Sequence, residues 1–398
     1  MFRQEWRAMS NATTEDFLSG QGIAVDPRRI EAQLDQMWGP AAEEVAGPEV
    51  DHPGVTRIVL ANLVVAGSIG EDSRIDDVLD VVVARYPCRT IVLRPSDAPE
   101  RKIDAEVSAL CHLPAPGRPQ VCSERIVLKA GPNAVDLLPG AVRPLLESDL
   151  PFVLWWTGDP RQNEPLFRSL VGECSRLLIG LPDPDGDPKA LRAGLDPQIC
   201  RFGHDIAWFG ITLWRGLVAQ FFDHQSQRAP LRRIRTVEIE TIAPRIDRPG
   251  RVSVWLGAWL AGQLGWKPRT LSNQTPGTLV ATFDPRSSGG AAASKTAVPI
   301  TLTIKTTVDS RAEFARIQKI TIVADGSDRD AIYRLSRPDF NSPEVEVEVD
   351  SCDRKPLPSQ VLAPELDTAR RLSAALESSR DDPPFARATP IALWLLGA

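Results

Sequence analysis

The sequence predicts an α/β protein in two parts. The first is an N-terminal α/β domain with a mixed or parallel sheet covered by helices. The second is a C-terminal α+β domain with antiparallel strands. Two textures divide the chain. Before residue 226, short runs are apolar at almost every position, as in strands buried on both faces. After it, apolar and polar residues alternate, as in strands with one wet face. Segments of helical spacing lie between the strands.

Taken in order, residues 1–53 form a peripheral segment and linker. Residues 27–38 predict one amphipathic helix, with Ile30, Leu34, Met37 and Trp38 on a face. Residues 39–53 are rich in Ala, Glu, Gly and Pro and read as the linker. Residues 1–15 carry charges throughout and lack the apolar core of a signal peptide, and Met9 offers an alternative start.

Residues 54–225 are the α/β domain. Runs 57–66, 90–93, 152–156 and 177–181 predict doubly buried strands, and 121–129 a further strand. Ile75, Val78, Leu79, Val82, Val83 and Tyr86 recur at helical spacing. So do Phe167, Leu170, Val171 and Cys174, with Pro165 suited to a first turn. Pro139, Gly140 and Pro144 keep any helix over 137–150 short or broken. Residues 208–222 predict a strongly apolar, aromatic helix that closes the domain.

Residues 226–398 are the α+β domain. Val237, Ile239 and Thr241 alternate with Glu238 and Glu240, Ile300, Leu302 and Ile304 with Thr301 and Thr303, and Val345, Val347 and Val349 with Glu346 and Glu348. Helices are predicted over 252–264, with Trp255 and Trp259 at spacing four, and over 364–378. Residues 284–297 read as a flexible loop.

Composition excludes several classes. The 398 residues carry a net charge of −6, so a nucleic acid is not the expected partner. No apolar run approaches the roughly 20 residues of a membrane helix. Six cysteines without a Cys-x-x-Cys pair predict reduced, mostly buried thiols in a cytoplasm.

The search for chemistry is mostly negative. The glycines in 66–70 make an incomplete phosphate-loop fingerprint, which argues against a nicotinamide-dependent dehydrogenase. Cys111, His112 and Cys122 lack a fourth zinc ligand, and the acidic turn 183–187 fails the calcium-loop spacing. No metal or cofactor is expected. His204 beside Asp205 suggests a base with its carboxylate, but adjacent residues rarely face each other, and Asp205 fits a helix N-cap better. Residues 228–251 hold seven arginines against Glu238, Glu240 and Asp247, a stretch that suits a phosphate, an acidic partner or a solvated connector.

Tryptophan is the positive signal. Of the ten, six fall at 155–156, 208 and 214, and 255 and 259. Trp155 and Trp156 must point to opposite faces of a strand. The turn after them, 157–160, lies at the carboxyl end of that strand, where α/β sheets place binding surfaces. Trp and Arg also dominate interface hot spots.

These segments resemble the OpcA family of glucose-6-phosphate dehydrogenase assembly proteins. Residues 145–160, LLESDLPFVLWWTGDP, are similar to its PLL and LWW-G-P signature. Tyr86-Pro87-Cys88-Arg89 and Ser123-Glu124-Arg125-Ile126 resemble two of its strand entries. DIAW at 205–208 with TLWR at 212–215, and WLGAWLAGQLG at 255–265, resemble two later segments. Leu213 stands where the family often has Pro, and Tyr86 where it often has His.

The resemblance implies a non-catalytic protein that binds glucose-6-phosphate dehydrogenase and favours its active oligomer, tuning the oxidative pentose phosphate pathway. Their clustering at one strand end and one adjoining helix, beside the absence of a catalytic set, predicts that Trp155, Trp156, Asp159, Trp208, Trp214 and Arg215 form or support the docking surface. The resemblance also brings redox control through cysteines, but the C-terminal part holds Cys352 alone, which argues against a disulfide switch within it. The alternatives are a sugar-phosphate-binding regulatory module using the arginines of 228–251, and a small-molecule enzyme using the strand-end cleft.

Overall fold

The computed structural model describes residues 14–44, 55–67, 73–113, 115, 119–180, 188–196, 198–245, 249–286, 298–339, 341–351 and 359–397. Two units result. Met1–Pro182, Ala193–His204 and Thr368–Arg380 form the first, and Asp183–Arg192, Asp205–Asp367 and Asp381–Ala398 the second.

The first unit is built on strands β1 (Ile23–Val25), β2 (Val55–Arg57), β3 (Asn62–Ala66), β4 (Arg89–Pro95), β5 (Ile103–His112), β6 (Gln120–Ala130), β7 (Phe152–Trp156), β8 (Arg176–Ile179) and β9 (Gly203–Asp205). They lie in the order β1-β5-β6-β4-β3-β7-β8-β9, with β2 beside β6. The central strands β6, β4, β3, β7 and β8 are parallel, while the β5–β6 and β1–β5 pairs are antiparallel. With the antiparallel strand β5 set aside, β6-β4-β3-β7-β8-β9 follows the third-second-first-fourth-fifth-sixth order of a doubly wound dinucleotide-binding sheet. The order reverses between β3 and β7. Both of these strands are buried at every position, which explains their unbroken apolar runs. Helices Ser73–Arg85 and Glu164–Val171 bury Leu79, Val82, Phe167 and Leu170.

The second unit holds β10 (Ile234–Ala243), β11 (Lys267–Thr275), β12 (Thr278–Asp284), β13 (Ile300–Val308), β14 (Arg316–Ala324), β15 (Ala331–Ser336), β16 (Glu344–Asp350) and β17 (Ser359–Leu362), in the order β11-β12-β13-β10-β14-β15-β16-β17. β10 runs parallel to β13, and the other strand pairs described are antiparallel. One face is apolar: Val237, Ile239, Leu302, Ile304, Ile320 and Ile322 are buried. Helix Arg251–Leu264 covers it and crosses helix Pro383–Leu395. A Cβ on Gly262 would come within 2.8 Å of the Arg387 carbonyl oxygen, so only glycine lets these two backbones approach so closely.

Several sequence expectations change. The α/β domain ends at His204, not at residue 225, because the segment from Asp205 packs its indole Trp208 against Trp255. Residues 208–222 form two helices, Ala207–Gly210 and Thr212–Gln220, broken at Ile211. Residues 57–66 form two strands, because β2 pairs with β6 while β3 lies between β4 and β7. Helix Thr368–Glu377 belongs to the first unit, where Arg176 donates to Ala375 O at 2.6 Å and Arg85 pairs with Glu377. The described part of the expected peripheral segment is built into that unit: β1 extends the sheet, and Phe17, Ile30 and Leu34 are buried.

The cysteines also depart from the expected reduced state. Cys111 and Cys122 face each other across β5 and β6 and form a disulfide. Strand register, which their spacing in sequence does not reveal, brings them together. Cys88 is buried, and Cys174 and Cys200 are half-buried neighbours. Cys352, the 183–187 turn and most of the 284–297 loop lie outside the described residues.

Candidate functional site

Three of the N-terminal family-like segments meet at one buried ion network in the first unit. Arg89 enters β4 at 3% exposure. Its Nε donates to Glu124 at 2.6 Å, and its Nη1 to Glu31 and to the Leu145 carbonyl, both at 2.8 Å. Glu147 lies 3.0 Å from Nη2. Glu124 is fully buried and also accepts from Trp38 Nε1 at 2.7 Å and pairs with Arg57 at 2.7 Å. Every ionised group here has an opposite charge or a donor, the condition under which burial of charge is tolerated. Burial pushes the Glu31 carboxyl up despite the pull of Arg89. The network joins β4 and β6 to helix Ile30–Glu44 and to the segment before β7.

The crest of the switch point lies at the ends of β3 and β7. Thr157 donates its N–H to Ala66 O at 2.8 Å. Gly67 has φ +117°, and a Cβ there would stand 2.8 Å from the Gly158 nitrogen. Both features demand glycine. Trp155 and Trp156 are 2% and 1% exposed, so neither ring is on the surface. Trp156 meets Phe167 edge-on at 5.0 Å. Neither indole N–H has an acceptor among the described residues. Asp159 caps the 3-10 turn Pro160–Asn163, accepting from Arg161 N at 2.9 Å and pairing with the Arg161 guanidinium.

The later family-like segments meet inside the second unit. Trp208 and Trp255 are both fully buried and cross at 5.6 Å. Phe385 stacks on Trp255 at 4.9 Å and meets Trp208 edge-on at 5.2 Å. Each indole N–H ends on an aspartate at the start of a helical segment. Trp255 donates to Asp205 at 2.8 Å, and Trp208 to Asp382 at 2.8 Å. Asp205 also accepts from Ala207 N at 2.9 Å and has Arg251 at 3.5 Å. This supports its helix-start role over that of a catalytic carboxylate. Asp382 caps helix Pro383–Leu395 through Phe385 N at 2.9 Å. Trp214 is buried, with the Arg337 guanidinium 5.3 Å from its ring centre.

Arg215 is different. Its guanidinium lies 3.9 Å over the Trp208 ring and donates to Thr212 Oγ1 at 3.0 Å. Its Nε has no acceptor, and no carboxylate among the described residues forms an ion pair with it. Burial holds its pKa down to about 10, with Asp382 pulling the other way. Leu213 beside it is 41% exposed.

The expected surface of six residues therefore separates. The four rings, Trp155, Trp156, Trp208 and Trp214, are internal, because a large indole gains most where it is wholly desolvated. None of the four stands on a surface. Asp159 is matched locally by Arg161. Arg215 alone keeps an unmatched charge. The residues that complete these centres, Glu31, Asp382 and Phe385, are not evident from the sequence. Asp382 followed by Pro383 and Pro384 is an N-cap and first-turn signature that marks the last helix. A cleft of about 310 Å³ in the first unit, lined by Gly20, Asp80, Cys111, His112 and Arg125 among others, also gave no sequence signal. Arg125 there is paired with Asp76.

Fold and geometry define a two-unit α/β protein, one sheet in dinucleotide-binding strand order and the other mixed, antiparallel except for the β10–β13 pair, with one helix-covered face. Family models described as the glucose-6-phosphate dehydrogenase subunit N-terminal domain and C-terminal domain match residues 80–193 and 203–389. The chain belongs to the OpcA family that these two domains define. Curated proteins bearing the name OxPP cycle protein OpcA are similar to it. That of Nostoc punctiforme is 30% identical over 195 residues, 48% of this chain and 41% of that one. That of a Synechocystis strain is 27% identical over 204 residues, 50% and 41%. The match thus spans about two fifths of those relatives' length. Among solved structures, an oxidoreductase of Erwinia carotovora atroseptica superposes with a TM-score of 0.48 at 10% identity, covering 85% of this chain and 98% of that one. No helix among the described residues is long and apolar enough to cross a membrane.

Proposed function

We propose that this chain does no chemistry of its own, binds glucose-6-phosphate dehydrogenase in the cytoplasm, and favours that enzyme's active oligomer. The partner is suggested by the family descriptions. The structural observation that carries the reading is Arg215. It is a partly desolvated cation held on an indole, with an apolar neighbour and no ion-paired carboxylate among the described residues. A carboxylate supplied by a partner offsets the desolvation already incurred and makes a charge-assisted pair. Thr212, Leu213 and Arg215 are the proposed contact, with Trp208 and Trp214 as its rigid backing. Trp155, Trp156 and Asp159 support the β7 crest in the same sense.

An assembly factor acts by mass action, shifting the oligomer by the difference in its affinity for the two states. A coupling of about 1–3 kcal/mol is ordinary for such effects. The arginines of 228–251 favour the sugar-phosphate alternative less than expected, since Arg235 pairs with Asp325 and Asp330, and Arg251 lies beside Asp205. The test is a dehydrogenase assay with and without the chain, read alongside gel filtration. Activation with a larger enzyme species is expected. Unchanged activity, affinity and size defeat the proposal.

A further inference from the structure

Two free cysteines of the first unit stand together. Cys174 follows helix Glu164–Val171, and Cys200 precedes β9. β8 and β9 are neighbours in the sheet, and Leu177 N donates to Phe202 O at 3.2 Å. The turns entering these two strands therefore lie side by side. Both thiols are half-buried, and their sulfurs hydrogen-bond to each other. The backbone N–H groups of Phe202 and Leu177 also meet the Cys200 sulfur. Cys174 has a carbonyl for its own S–H, Val171 O at 3.4 Å.

A thiol that only fills the core sits differently. Cys88 is wholly buried, 3.7 Å from Thr90 Oγ1, and burial pushes it up to about 12. Cys200 is held down to about 7, by the Cys174 hydrogen bond first and by the two backbone N–H groups as well, against the effect of burial. The same contact and burial push Cys174 up. One sulfur is thus set as a thiolate and its neighbour as a proton-bearing thiol. Thiolate character and access decide which cysteines react.

We propose that Cys200 and Cys174 are a peroxide-reactive dithiol, with Cys200 attacking and Cys174 resolving, which closes a reversible disulfide inside the first unit. The Cys200 thiolate attacks one oxygen of a hydroperoxide. The O–O bond breaks, the second oxygen departs and takes a proton from water, and Cys200 becomes a sulfenic acid. The Cys174 sulfur then attacks the Cys200 sulfur. An S–S bond forms, the S–O bond breaks, and hydroxide leaves with the Cys174 proton as water. The two sulfurs lose an electron pair and the peroxide gains it. A small dithiol reopens the bond by exchange through a mixed disulfide. The bond ties the turn after helix Glu164–Val171 to the entry of β9, apart from the contact at Arg215.

The full chain carrying Cys352→Ser tests this, kept free of reductant so that Cys111–Cys122 stays closed. Hydrogen peroxide is added, remaining thiols are alkylated, and peptides are mapped by mass spectrometry without reduction. A peptide linking Cys174 to Cys200 is expected, with Cys88 unoxidised. Cys174→Ser leaves a Cys200 sulfenic acid that dimedone traps. Cys200→Ser slows peroxide consumption by about tenfold or more. Iodoacetamide labelling of Cys200 in the unoxidised chain has its pH midpoint near 7, and Cys174→Ala moves it toward the ordinary 9.0. If Cys200→Ser fails to fold, the linked peptide and the labelling midpoint of the chain with both thiols carry the test. Absence of that peptide overturns the proposal, as does a Cys200 midpoint already at the ordinary value.

Discussion

Arg89 in the first unit is buried and Arg215 in the second is half-buried, and their surroundings differ in a further respect. Arg89 meets Glu124, Glu31 and Glu147 and a backbone carbonyl. Arg215 meets an indole face and a hydroxyl. In the first case the charge is matched by the fold, so its removal strands the carboxylates around it. In the second no carboxylate among the described residues forms an ion pair with the charge, and Asp382 acts on it only from a distance, so its removal strands no ion-pair partner. A fully paired buried ion marks a joint; the half-buried one without an ion pair is the proposed contact.

The largest effect expected from this contrast is Arg89→Ala. It leaves the fully buried Glu124 with the half-exposed Arg57 as its remaining ion-pair partner, a loss of about 3–5 kcal/mol. Urea unfolding followed by amide exchange in β3 and β4 measures it. A loss under about 1 kcal/mol would place the network among the energetically neutral ion pairs. Next comes Asp382→Ala, which removes a helix cap and the acceptor of a buried indole N–H together. The cap is worth about 1 kcal/mol. The orphaned donor costs a further 1–3 kcal/mol or so. Asp382→Asn keeps one acceptor oxygen, enough for the helix cap or the indole but not both, and should recover about the share of one bond. Recovery of nothing would mean that the Asp382 charge, acting on Arg215, matters more than the hydrogen bonds.

Arg215→Ala tests the other half of the comparison. Stability should change by no more than about 0.5 kcal/mol, as at surface sites away from paired networks. Activation of the dehydrogenase should fall at least tenfold in effective concentration, about 1.4 kcal/mol. Loss of stability without loss of activation would reverse the assignment and make Arg215 a joint like Arg89.

The contrast was only half legible in the sequence. The strands were, because doubly buried and one-faced strands have different periods and the 152–156 run could be nothing else. The location of the special segments was as well. What they do there was not. Trp155, Trp156, Trp208 and Trp214 read as forming or supporting a surface because hot-spot chemistry and core chemistry use the same side chain, and only the covering elements decide between them. Glu31, Asp382 and Phe385 are remote in sequence from the groups they meet. The Cys111–Cys122 bond depends on the register of β5 against β6, which no spacing rule supplies. Helix Thr368–Glu377 joins the first unit by a long return that local pattern does not encode.

The smallest effect is a pH dependence confined to the Arg89 side. Burial raises the Glu31 carboxyl above its ordinary 4.5, and Arg89 only partly opposes this. The folded chain therefore binds more protons than the unfolded one between 4.5 and the raised value. Stability from this group is fully present below the lower limit and is lost as pH rises through the folded value, then stays level. Because Glu31 is 45% exposed, solvent screening keeps the slope shallow. Urea midpoints of wild type and Glu31→Gln, measured from the carboxylate range to neutrality, should converge at low pH and separate as pH rises, the variant showing the flatter curve. Parallel curves would move the slope to other carboxylates. A steeper curve for the variant would mean that Arg89 outweighs burial, and that Glu31 belongs with Glu124 as a fully ionised member of the joint.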